Sequence, residues 1–263
     1  MKSAILLFLV ILIIAGCKPL VNKMAFHPDT KKVFSTDQLP ENVQEIFIET
    51  KDHVKIHSYF ILDEASEKIL IYFHGNAGNI CQRLPDLMQL NSLGTNVFGV
   101  SYRGYGKSQG KPNEKGIYLD GKAALNYVIQ KLGFAENNII ILGRSIGSTV
   151  AIHITQNKNI NGLILVSPLT NGKEQAKVSG LGFISFLSGK SFDNIGKIIN
   201  ISCPILIIHG TQDEVIPFEM GKMLFDKAKS KKQFVGIESA GHNDLSTKYQ
   251  ESYWTAISEF IKN

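Results

Sequence analysis

The stretch IIILGRSIGST, residues 139–149, contains the feature from which the fold class can be worked out. Its first four residues are apolar, which is typical of a buried strand. The pentapeptide GRSIG then runs from Gly143 to Gly147, and the residues STVAIHI that follow are consistent with the start of a helix. We therefore predict that Ser145 occupies a tight turn between a buried strand and a helix.

Strands and helices alternate on both sides of this turn. Apolar runs that predict strands cover 68–73, 96–102, 138–143, 162–167, 204–210 and 233–238. Helices are predicted at about 80–93, 116–132, 146–157, 218–230 and 246–261. Because a strand that is apolar throughout is covered on both faces, this alternation predicts an α/β fold with a mostly parallel, doubly wound sheet.

Two segments depart from the alternation. Residues 45–50 and 54–62 alternate polar and apolar side chains, which predicts an antiparallel hairpin before the parallel strands. Residues 170–200 are apolar without a clear period, and we interpret them as a short cap insertion that builds a substrate pocket. Since no internal repeat or linker divides the rest, residues 45–263 are predicted to form one domain.

Composition and charge exclude several classes of protein. The 263 residues are 44% hydrophobic and 19% charged, as in a globular domain and unlike a disordered chain. The net charge is +5, but the lysines are scattered and form no basic patch with interleaved aromatics, so no nucleic-acid partner is predicted. Cys81 and Cys203 lack metal-ligand spacing and are interpreted as packing residues, so no metal is predicted.

The N-terminus has the pattern of an export signal. Lys2 precedes twelve apolar residues, 4–15, a run shorter than the roughly 20 residues that cross a bilayer. A basic residue followed by a short apolar run is typical of a secretory signal peptide. The run ends in IAGC, residues 14–17, which resembles the lipobox of bacterial lipoproteins.

The lipobox resemblance implies cleavage before Cys17 and attachment of lipid to this cysteine. The signal peptide would then cover residues 1–16, and residues 17–44 would form a lipidated N-terminus and a polar lead-in to the domain. The expected location is the bacterial cell envelope, where the lipid holds the exported protein at a membrane. The alternative is an uncleaved apolar anchor in which Cys17 has no role.

Ser145 is the predicted nucleophile. A nucleophile at a strand-to-helix turn projects from a strained backbone, and the glycines at 143 and 147 leave room for the neighbouring main chain. The N-terminus of the following helix also places positive potential near the reacting group. A turn that only connects a strand to a helix could have the same pentapeptide, so the interpretation depends on partner residues elsewhere in the chain.

His242 is the predicted base among seven histidines. A serine hydroxyl needs a base to become a nucleophile. His242 lies in ESAGHNDLS, after the last strand, at the carboxyl edge of the sheet where ligands bind in open α/β folds. The histidines at 27, 53, 57 and 153 are poorly placed, because they precede the parallel strands or lie inside the helix after the serine.

Asp213 is the predicted acid that orients this base and keeps its proton on the far ring nitrogen. It lies in HGTQDEVIP, directly after a strand and at the same edge of the sheet. Glu214 is its direct competitor, and Asp244 lies close to His242 in sequence. The alternative interpretation of Asp213 is a helix cap.

The loop HGNAGN, residues 74–79, is the predicted site for the negative oxygen of a tetrahedral intermediate. Small residues after a strand allow backbone N–H groups to face one oxygen. The predicted donors are the backbone N–H groups of Asn76 and of Ile146, the residue after the serine. His74 is expected to fix the loop by hydrogen bonding, and the alternative is a glycine-rich turn without a catalytic role.

Together these motifs resemble the α/β-hydrolase superfamily over roughly residues 45–262. The resemblance depends on HGNAGN, YRGYGKS at 102–108, GRSIGS, HGTQDEVIP and GHND. These motifs are similar to those of single-domain serine hydrolases, a branch with depalmitoylase-like and peptidase-like members. The resemblance implies an α/β-hydrolase fold, a catalytic triad of Ser145, Asp213 and His242, and no cofactor.

Two departures from this branch change what is expected. Ser101 stands where an acidic residue is common before the Y-R-G-x-G loop, so this loop is expected to be anchored differently. The cap is short, and no large lid is expected. A small apolar slot for the acyl group is predicted from Leu181, Phe183, Ile184, Phe186 and Leu187.

The sequence therefore predicts a membrane-tethered serine hydrolase that cleaves esters or thioesters of an apolar acyl group. A serine at the turn, rather than an aspartate of the dehalogenase or epoxide hydrolase kind, favours an acyl-enzyme on Ser145. The expected partners are a small-molecule or lipid ester and a membrane, reached through the lipid on Cys17. The alternatives are a serine peptidase of the same fold and a lipoprotein that binds without catalysis.

Overall fold

A mostly parallel sheet lies at the centre of the molecule. The structure, a computed structural model, describes residues 22, 25–181, 185 and 189–263. The strands in these ranges are β1 (His27–Pro28), β2 (Val43–Glu49), β3 (Lys55–Ile61), β4 (Ile69–Phe73), β5 (Ala77–Gly78), β6 (Asn96–Val100), β7 (Ile139–Arg144), β8 (Gly162–Val166), β9 (Ile205–Gly210) and β10 (Lys232–Ile237). Eight of these described strands pair in the order β10-β9-β8-β7-β4-β6-β3-β2, and β1 pairs separately with β5.

The pairing of the strands confirms the predicted fold class. β2 and β3 form an antiparallel hairpin, and β3 is also antiparallel to β6. The other neighbouring strands of the large sheet run parallel to one another. Since parallel strands end at the same edge, the residues that follow β4, β7, β8 and β9 meet at one carboxyl edge.

Helices cover both faces of the sheet. The α-helices in the described ranges are α1 (Leu84–Asn91), α2 (Glu114–Gln130), α3 (Gly147–Thr155), α4 (Gly172–Ala176), α5 (Asn194–Lys197), α6 (Phe218–Lys227) and α7 (Gln250–Lys262). The apolar side chains of α2, α3 and α6 pack in one core cluster, and those of α1 and α7 pack in a second cluster. This arrangement is the doubly wound fold that the alternation of strands and helices predicts.

β4 shows why strands of this sheet are apolar throughout. Ile69, Ile71 and Phe73 belong to the core cluster that contains α2 and α3. Leu70 and Tyr72 belong to the cluster that contains α1 and α7. Successive side chains of a strand point to opposite faces. Because both faces are covered by helices, no position in the strand is left for a solvated side chain.

The last helix begins later than its pattern predicts. The sequence predicts a helix from about residue 246, whereas α7 begins at Gln250. The backbone N–H groups of Thr247, Lys248 and Tyr249 all donate to the carbonyl of Asp244. These bonds close a compact turn, and the chain enters α7 only after this turn is complete.

The Y-R-G-x-G loop is anchored through Arg103. Its Nη1 and Nη2 donate to the two carboxylate oxygens of Asp52 at 2.8 and 2.9 Å. Its Nε and its backbone N–H donate to the two oxygens of buried Asp120, each at 2.9 Å. Ser101 contributes a hydroxyl bond to the carbonyl of Tyr105 at 3.2 Å. The chain therefore holds this loop with a buried guanidinium and two carboxylates that lie outside the loop.

Part of the predicted lead-in packs on the domain. Phe26 is buried in the core, and β1 pairs in parallel with β5, which lies in the loop after β4. The predictions for the signal peptide, Cys17 and the pocket residues Phe183, Ile184, Phe186 and Leu187 lie outside the described residues, as does the side chain of Leu181. Within the described ranges, no helix combines the length and apolar character that a membrane span requires.

Candidate active site

Ser145 lies at the turn between β7 and α3, with a left-handed backbone. Its φ is +53°, which is uncommon for a residue with a Cβ. Such a conformation is strained and persists only where the surrounding structure holds it. Here the Ser145 N–H donates to the carbonyl of Val166 at 2.8 Å. The hydroxyl of Ser148 donates to the carbonyl of Ser145 at 2.6 Å. These two bonds hold the backbone of Ser145 at its N–H and at its carbonyl group.

The glycines of the pentapeptide are required by close main-chain approach. A Cβ on Gly143 would lie 2.5 Å from the carbonyl oxygen of Gly147 and 2.7 Å from the Cβ of Ala151. A Cβ on Gly147 would lie 2.7 Å from the carbonyl oxygen of His74 and would also collide with that of Phe73. The absence of a side chain at 143 therefore lets β7 pack closely on α3, and its absence at 147 lets the turn pack against the end of β4.

Ser145, His242 and Asp213 form a continuous chain of hydrogen bonds. His242 Nδ1 lies 2.7 Å from Asp213 Oδ2, and His242 Nε2 lies 3.2 Å from Ser145 Oγ. A carboxylate only accepts, so His242 Nδ1 carries a proton and Nε2 is free to accept from the serine hydroxyl. All three residues are buried, with 6% to 8% of their surface exposed. The structure thus brings together the three residues predicted as a triad.

The carboxylate of Asp213 is held in its charged form. Burial favours the protonated form, but hydrogen bonds from His209 and His242 outweigh it and lower the pKa of Asp213. The backbone N–H groups of Val215 and Ile216 also donate to Asp213 Oδ1 at 3.0 and 2.8 Å. A carboxylate that accepts several hydrogen bonds is stabilised in its charged form.

Glu214 and Asp244 contact the backbone of the His242 loop instead of the imidazole. The N–H of His242 donates to Glu214 Oε2 at 3.4 Å, and the N–H of Gly241 donates to Asp244 Oδ1 at 2.8 Å. The side chain of Glu214 is exposed. Of the acidic residues considered from the sequence, Asp213 is therefore the one that orients the imidazole ring.

The HGNAGN loop passes directly beside the serine. A Cβ placed on Gly75 would lie 3.6 Å from the Cβ of Ser145. The side chain of Asn76 accepts a hydrogen bond from the N–H of His27 at 2.8 Å and from the hydroxyl of Tyr105 at 3.3 Å. Ile146 directly follows the serine at the start of α3. Asn76 and Ile146 therefore lie on two chain segments that meet at Ser145.

His74 is a neutral, buried residue of this loop. Its burial lowers its pKa to about 4. Its Nδ1–H donates to the carbonyl of Gly75 at 2.7 Å, and the hydroxyl of Tyr102 donates to the carbonyl of His74 at 2.8 Å. Both bonds restrain the backbone of the loop, which agrees with the expectation that His74 fixes it.

Of the remaining histidines, one contacts Asp213 and three have their contacts elsewhere in the fold. His53 pairs with Glu49 at the exposed hairpin turn, His57 is buried beside Glu45, and His153 stacks on Tyr118 at 3.9 Å. His209, fully buried in β9, lies with its Nε2 3.3 Å from Asp213 Oδ2 and 2.9 Å from the carbonyl of Ile216. It contacts the same carboxylate oxygen of Asp213 as His242 does.

Sequence reasoning missed His209 and Arg144 as parts of this site. His209 stands four residues before Asp213 at the end of an apolar strand, where a polar residue is unusual, and this could have been read as a signal. Arg144 fills the variable position of the pentapeptide, so no sequence signal distinguishes it. Among the described residues, no group of histidine, cysteine, aspartate and glutamate side chains could hold a metal ion.

The fold and the serine–histidine–aspartate geometry define the α/β-hydrolase class. The family model described as serine aminopeptidase, S33, matches residues 64–197, and the chain belongs to this family of hydrolases. The human alpha/beta hydrolase domain-containing protein 17B is 37% identical over 193 residues, which cover 73% of this chain and 65% of that protein. The chain thus spans a little under two thirds of that relative's length.

Other relatives are similar over more of their length. Protein bem46 of Schizosaccharomyces pombe is 34% identical, with 93% of this chain and 85% of that protein covered. Among solved structures, esterase Pf2001 of Pyrococcus furiosus has a TM-score of 0.74 at 22% identity, with 90% of this chain and 98% of that chain covered. At this level of identity, the likeness shows the shared fold.

Proposed function

We propose that this hydrolase uses Ser145 as its nucleophile and cleaves esters or thioesters of an apolar acyl group through an acyl-enzyme. The observation that carries the proposal is the buried chain of hydrogen bonds from Ser145 Oγ through His242 to Asp213, at 3.2 and 2.7 Å. A serine beside an imidazole that is oriented by a carboxylate is the arrangement that activates a hydroxyl for attack on a carbonyl.

In the first half of the reaction, His242 Nε2 takes the proton of the Ser145 hydroxyl as Oγ attacks the acyl carbon. The negative charge of Asp213 stabilises the imidazolium that forms. The tetrahedral intermediate collapses when its carbon–oxygen or carbon–sulfur bond breaks and His242 returns the proton to the leaving alcohol or thiol. The acyl group then remains on Ser145 as an ester.

In the second half, water replaces the leaving group. His242 Nε2 takes a proton from water as the water oxygen attacks the acyl carbon. The second tetrahedral intermediate collapses, the bond to Ser145 Oγ breaks, and His242 returns the proton to that oxygen. The products are a carboxylic acid and the free enzyme, so atoms and charge balance over the cycle.

The backbone N–H groups of Asn76 and Ile146 are proposed to donate to the oxygen that becomes negative in both intermediates. The support is the position of the HGNAGN loop, in which Gly75 lies directly against Ser145. Removing one donor of this kind typically costs a factor of about 10² to 10³ in kcat. An ordered donor pair would thus supply a large part of the rate enhancement.

The substrate pocket is proposed to include Leu181, Phe183 and Phe186, in the cap that follows β8. Its test is a series of p-nitrophenyl esters with acyl chains of increasing length, applied to the wild type and to Phe183→Ala and Phe186→Ala. A shift of the preferred chain length supports an acyl pocket at this place. An unchanged preference would contradict it, even if the overall activity fell.

The proposed function is tested by labelling with a fluorophosphonate probe, which reacts with activated serines. The full chain is compared with Ser145→Ala and with Ser92→Ala, an exposed serine just after α1 whose hydroxyl donates to the carbonyl of Gln89. Labelling that is lost in Ser145→Ala and kept in Ser92→Ala is the expected result. A folded wild type that is not labelled would contradict the proposal and would favour a binding protein without catalysis.

A serine peptidase is the second candidate, because the matching family is described as serine aminopeptidase. The same serine, base and acid would serve amide cleavage, so the geometry of the three residues does not separate the two activities. Aminoacyl p-nitroanilides and acyl p-nitrophenyl thioesters, assayed side by side, separate them. A kcat/KM higher for the anilides would replace the esterase proposal with the peptidase.

We also propose that Cys17 carries lipid and holds the domain at a membrane of the bacterial envelope. Cys17 precedes the buried Phe26 by nine residues. An extended chain spans about 3.3–3.6 Å per residue, so such an anchor would keep the domain within about 30 Å of the bilayer. Incorporation of a labelled fatty acid into the wild type, and its loss in Cys17→Ser, tests this proposal. Equal labelling of both proteins would contradict it.

A further inference from the structure

We infer that residues 26–29 form a strap whose main chain positions the proposed oxyanion loop. The inference rests on the proposed function, since it concerns the loop that carries Asn76. It assigns a role to a segment that composition alone presents as a polar lead-in. The strap acts through its main chain, which contacts the loop directly.

The strap pairs with the loop along its whole length. His27 pairs with Ala77 and Pro28 with Gly78, in a short parallel ladder. The N–H of Asp29 donates to the carbonyl of Gly78 at 3.3 Å. The N–H of His27 donates to the side-chain oxygen of Asn76 at 2.8 Å. The loop residues after His74 are therefore held by a neighbouring strand.

The strap is itself fixed at its start. The ring of Phe26 is buried, and its centroid lies 6.1 Å from that of Phe192 in an edge-on arrangement. Phe26 belongs to the apolar core cluster of the domain, so movement of the strap would expose its ring to water. The anchor for the first residue of the strap therefore lies in the core of the domain.

The strap is also fixed at its end, by Asp29. The carbonyl of Asp29 accepts from the N–H of Gly106 at 3.0 Å and from the side-chain amide of Asn79 at 2.8 Å. Its carboxylate accepts from the side-chain amide of Gln82 at 2.9 Å. Between the two anchors, the peptide of His27 is held against Asn76.

This arrangement matters because Asn76 has two roles in the loop. Its side-chain oxygen is clamped by the strap N–H and by the hydroxyl of Tyr105, while its own N–H is the proposed oxyanion donor. Glycines at 75 and 78 have no side chain to limit backbone rotation, so the strap adds to the restraint that the bonds at His74 provide. A displacement of about 1 Å at a catalytic group can cost a factor of about 10² in rate. The hydrogen bonds to the side chain of Asn76 thus orient its backbone N–H toward the proposed oxyanion position.

The strap can be tested by a matched pair of substitutions at position 27, in the full chain. The side chain of His27 is exposed and only its backbone N–H bonds Asn76. His27→Pro removes that N–H and keeps the extended backbone that proline favours, whereas His27→Ala keeps the N–H. We expect His27→Pro to lower kcat for a p-nitrophenyl ester about 10- to 100-fold with KM within about twofold, and His27→Ala to stay near the wild type.

A second substitution makes the test specific to this hydrogen bond. Asn76→Ala removes the acceptor and keeps the backbone N–H. If the strap acts through Asn76, His27→Pro adds little further loss of kcat to Asn76→Ala, because the hydrogen bond from His27 to Asn76 is already absent in Asn76→Ala. Losses that multiply would overturn the inference, since the two residues would then act independently.

The thermal midpoint of each variant separates positioning from folding. A His27→Pro protein with the midpoint of the wild type and a lowered kcat supports the strap. A His27→Pro protein with the kcat of His27→Ala overturns it and leaves the proposed function intact. If His27→Pro unfolds, Asn76→Ala is compared with Tyr105→Phe, which removes only the other hydrogen bond to Asn76. A 10- to 100-fold loss of kcat in Asn76→Ala but not in Tyr105→Phe supports the strap, whereas a kcat of Asn76→Ala within twofold of the wild type, or equal losses in both variants, overturns it. A wild type without fluorophosphonate labelling would instead reject the proposed function.

Discussion

Arg144 Nη2 donates to the backbone carbonyl of His242 at 3.0 Å, across 98 positions of sequence. The same nitrogen lies 3.4 Å from the side-chain oxygen of Asn243. Arg144 directly precedes Ser145, whereas His242 lies on the loop after β10. One guanidinium therefore ties the loop that carries the imidazole to the turn that carries the serine.

Loss of this tie is expected to lower turnover more than substrate binding. Arg144→Met keeps the length of the side chain and removes the donor, and a hydrogen bond from a charged group is worth about 1.5–3 kcal/mol. If about half of that is needed to place His242 in the transition state, kcat falls about 4- to 13-fold. Ester turnover measures kcat and KM for each variant.

Arg144→Lys is the matched control, because an ammonium can still donate but lacks the planar fork. We expect its kcat to lie between those of Arg144→Met and the wild type. A wild-type kcat for Arg144→Met would show that the His242 loop is held in place without Arg144.

Asp213 and Glu214 are adjacent acidic residues with different contacts, and their amide variants are expected to differ sharply. Asp213→Asn keeps the shape but presents an amide to His242 Nδ1, which favours the wrong tautomer and can lower kcat by about 10⁴. Glu214→Gln removes a charge that contacts only the N–H of His242 at 3.4 Å, and less than a tenfold loss is expected. Single-turnover acylation measures both. Equal losses would contradict the assignment of Asp213.

A methyl group at Gly147 is expected to destabilise the fold more than one at Gly94. The Cβ of Gly147→Ala would meet two main-chain carbonyls of the β4 end, which cannot rotate away, so a loss near 3 kcal/mol is expected. Gly94 has a φ of +85° and no neighbouring atom within 4 Å, so Gly94→Ala costs only the left-handed strain of about 1–2 kcal/mol. Urea unfolding gives both values, and a smaller loss at 147 than at 94 would contradict the close packing of the turn.

The buried histidines make stability fall in mild acid. Burial lowers the pKa of His74 and of His57 to about 4, whereas an unfolded histidine titrates near 6.5. Between pH 6.5 and pH 4 the unfolded chain therefore binds more protons, so the free energy of unfolding falls as the pH falls. The stabilisation that comes from keeping these histidines neutral is fully present above pH 6.5 and has been lost below pH 4. Each histidine contributes a slope of at most about 1.4 kcal/mol per pH unit.

His74→Asn isolates one of these contributions. Its side-chain amide can still donate to the carbonyl of Gly75, but it does not titrate in this range. Urea midpoints at several pH values between 7.5 and 4.5 should fall less steeply for the variant than for the wild type. Parallel curves for the two proteins would show that His74 is not held neutral in the folded state.

The order of strands and helices could be predicted from the sequence, because a strand that is buried on both faces of the sheet consists of apolar residues throughout. Every position of β4 enters a core cluster on one face or the other, so the strand has to be apolar throughout. The turn at Ser145 was equally visible, since main-chain atoms come within 3 Å of where side chains at 143 and 147 would lie. Constraints of this kind act between neighbouring positions of the chain and limit which residue types each position can have, so they are visible in the sequence.

The motifs predicted which three residues form the triad, but the contacts that position these residues were decided only by the tertiary structure. Asp213 and Glu214 are adjacent and chemically alike, and only the path of the chain after β9 aims the first of them at His242 Nδ1. The contacts of Arg144 with His242, and of the His27 N–H with Asn76, use main-chain atoms of residues 98 and 49 positions apart. A main-chain atom is the same in almost every residue, so such a contact leaves no mark on residue type, and only the folded chain reveals it.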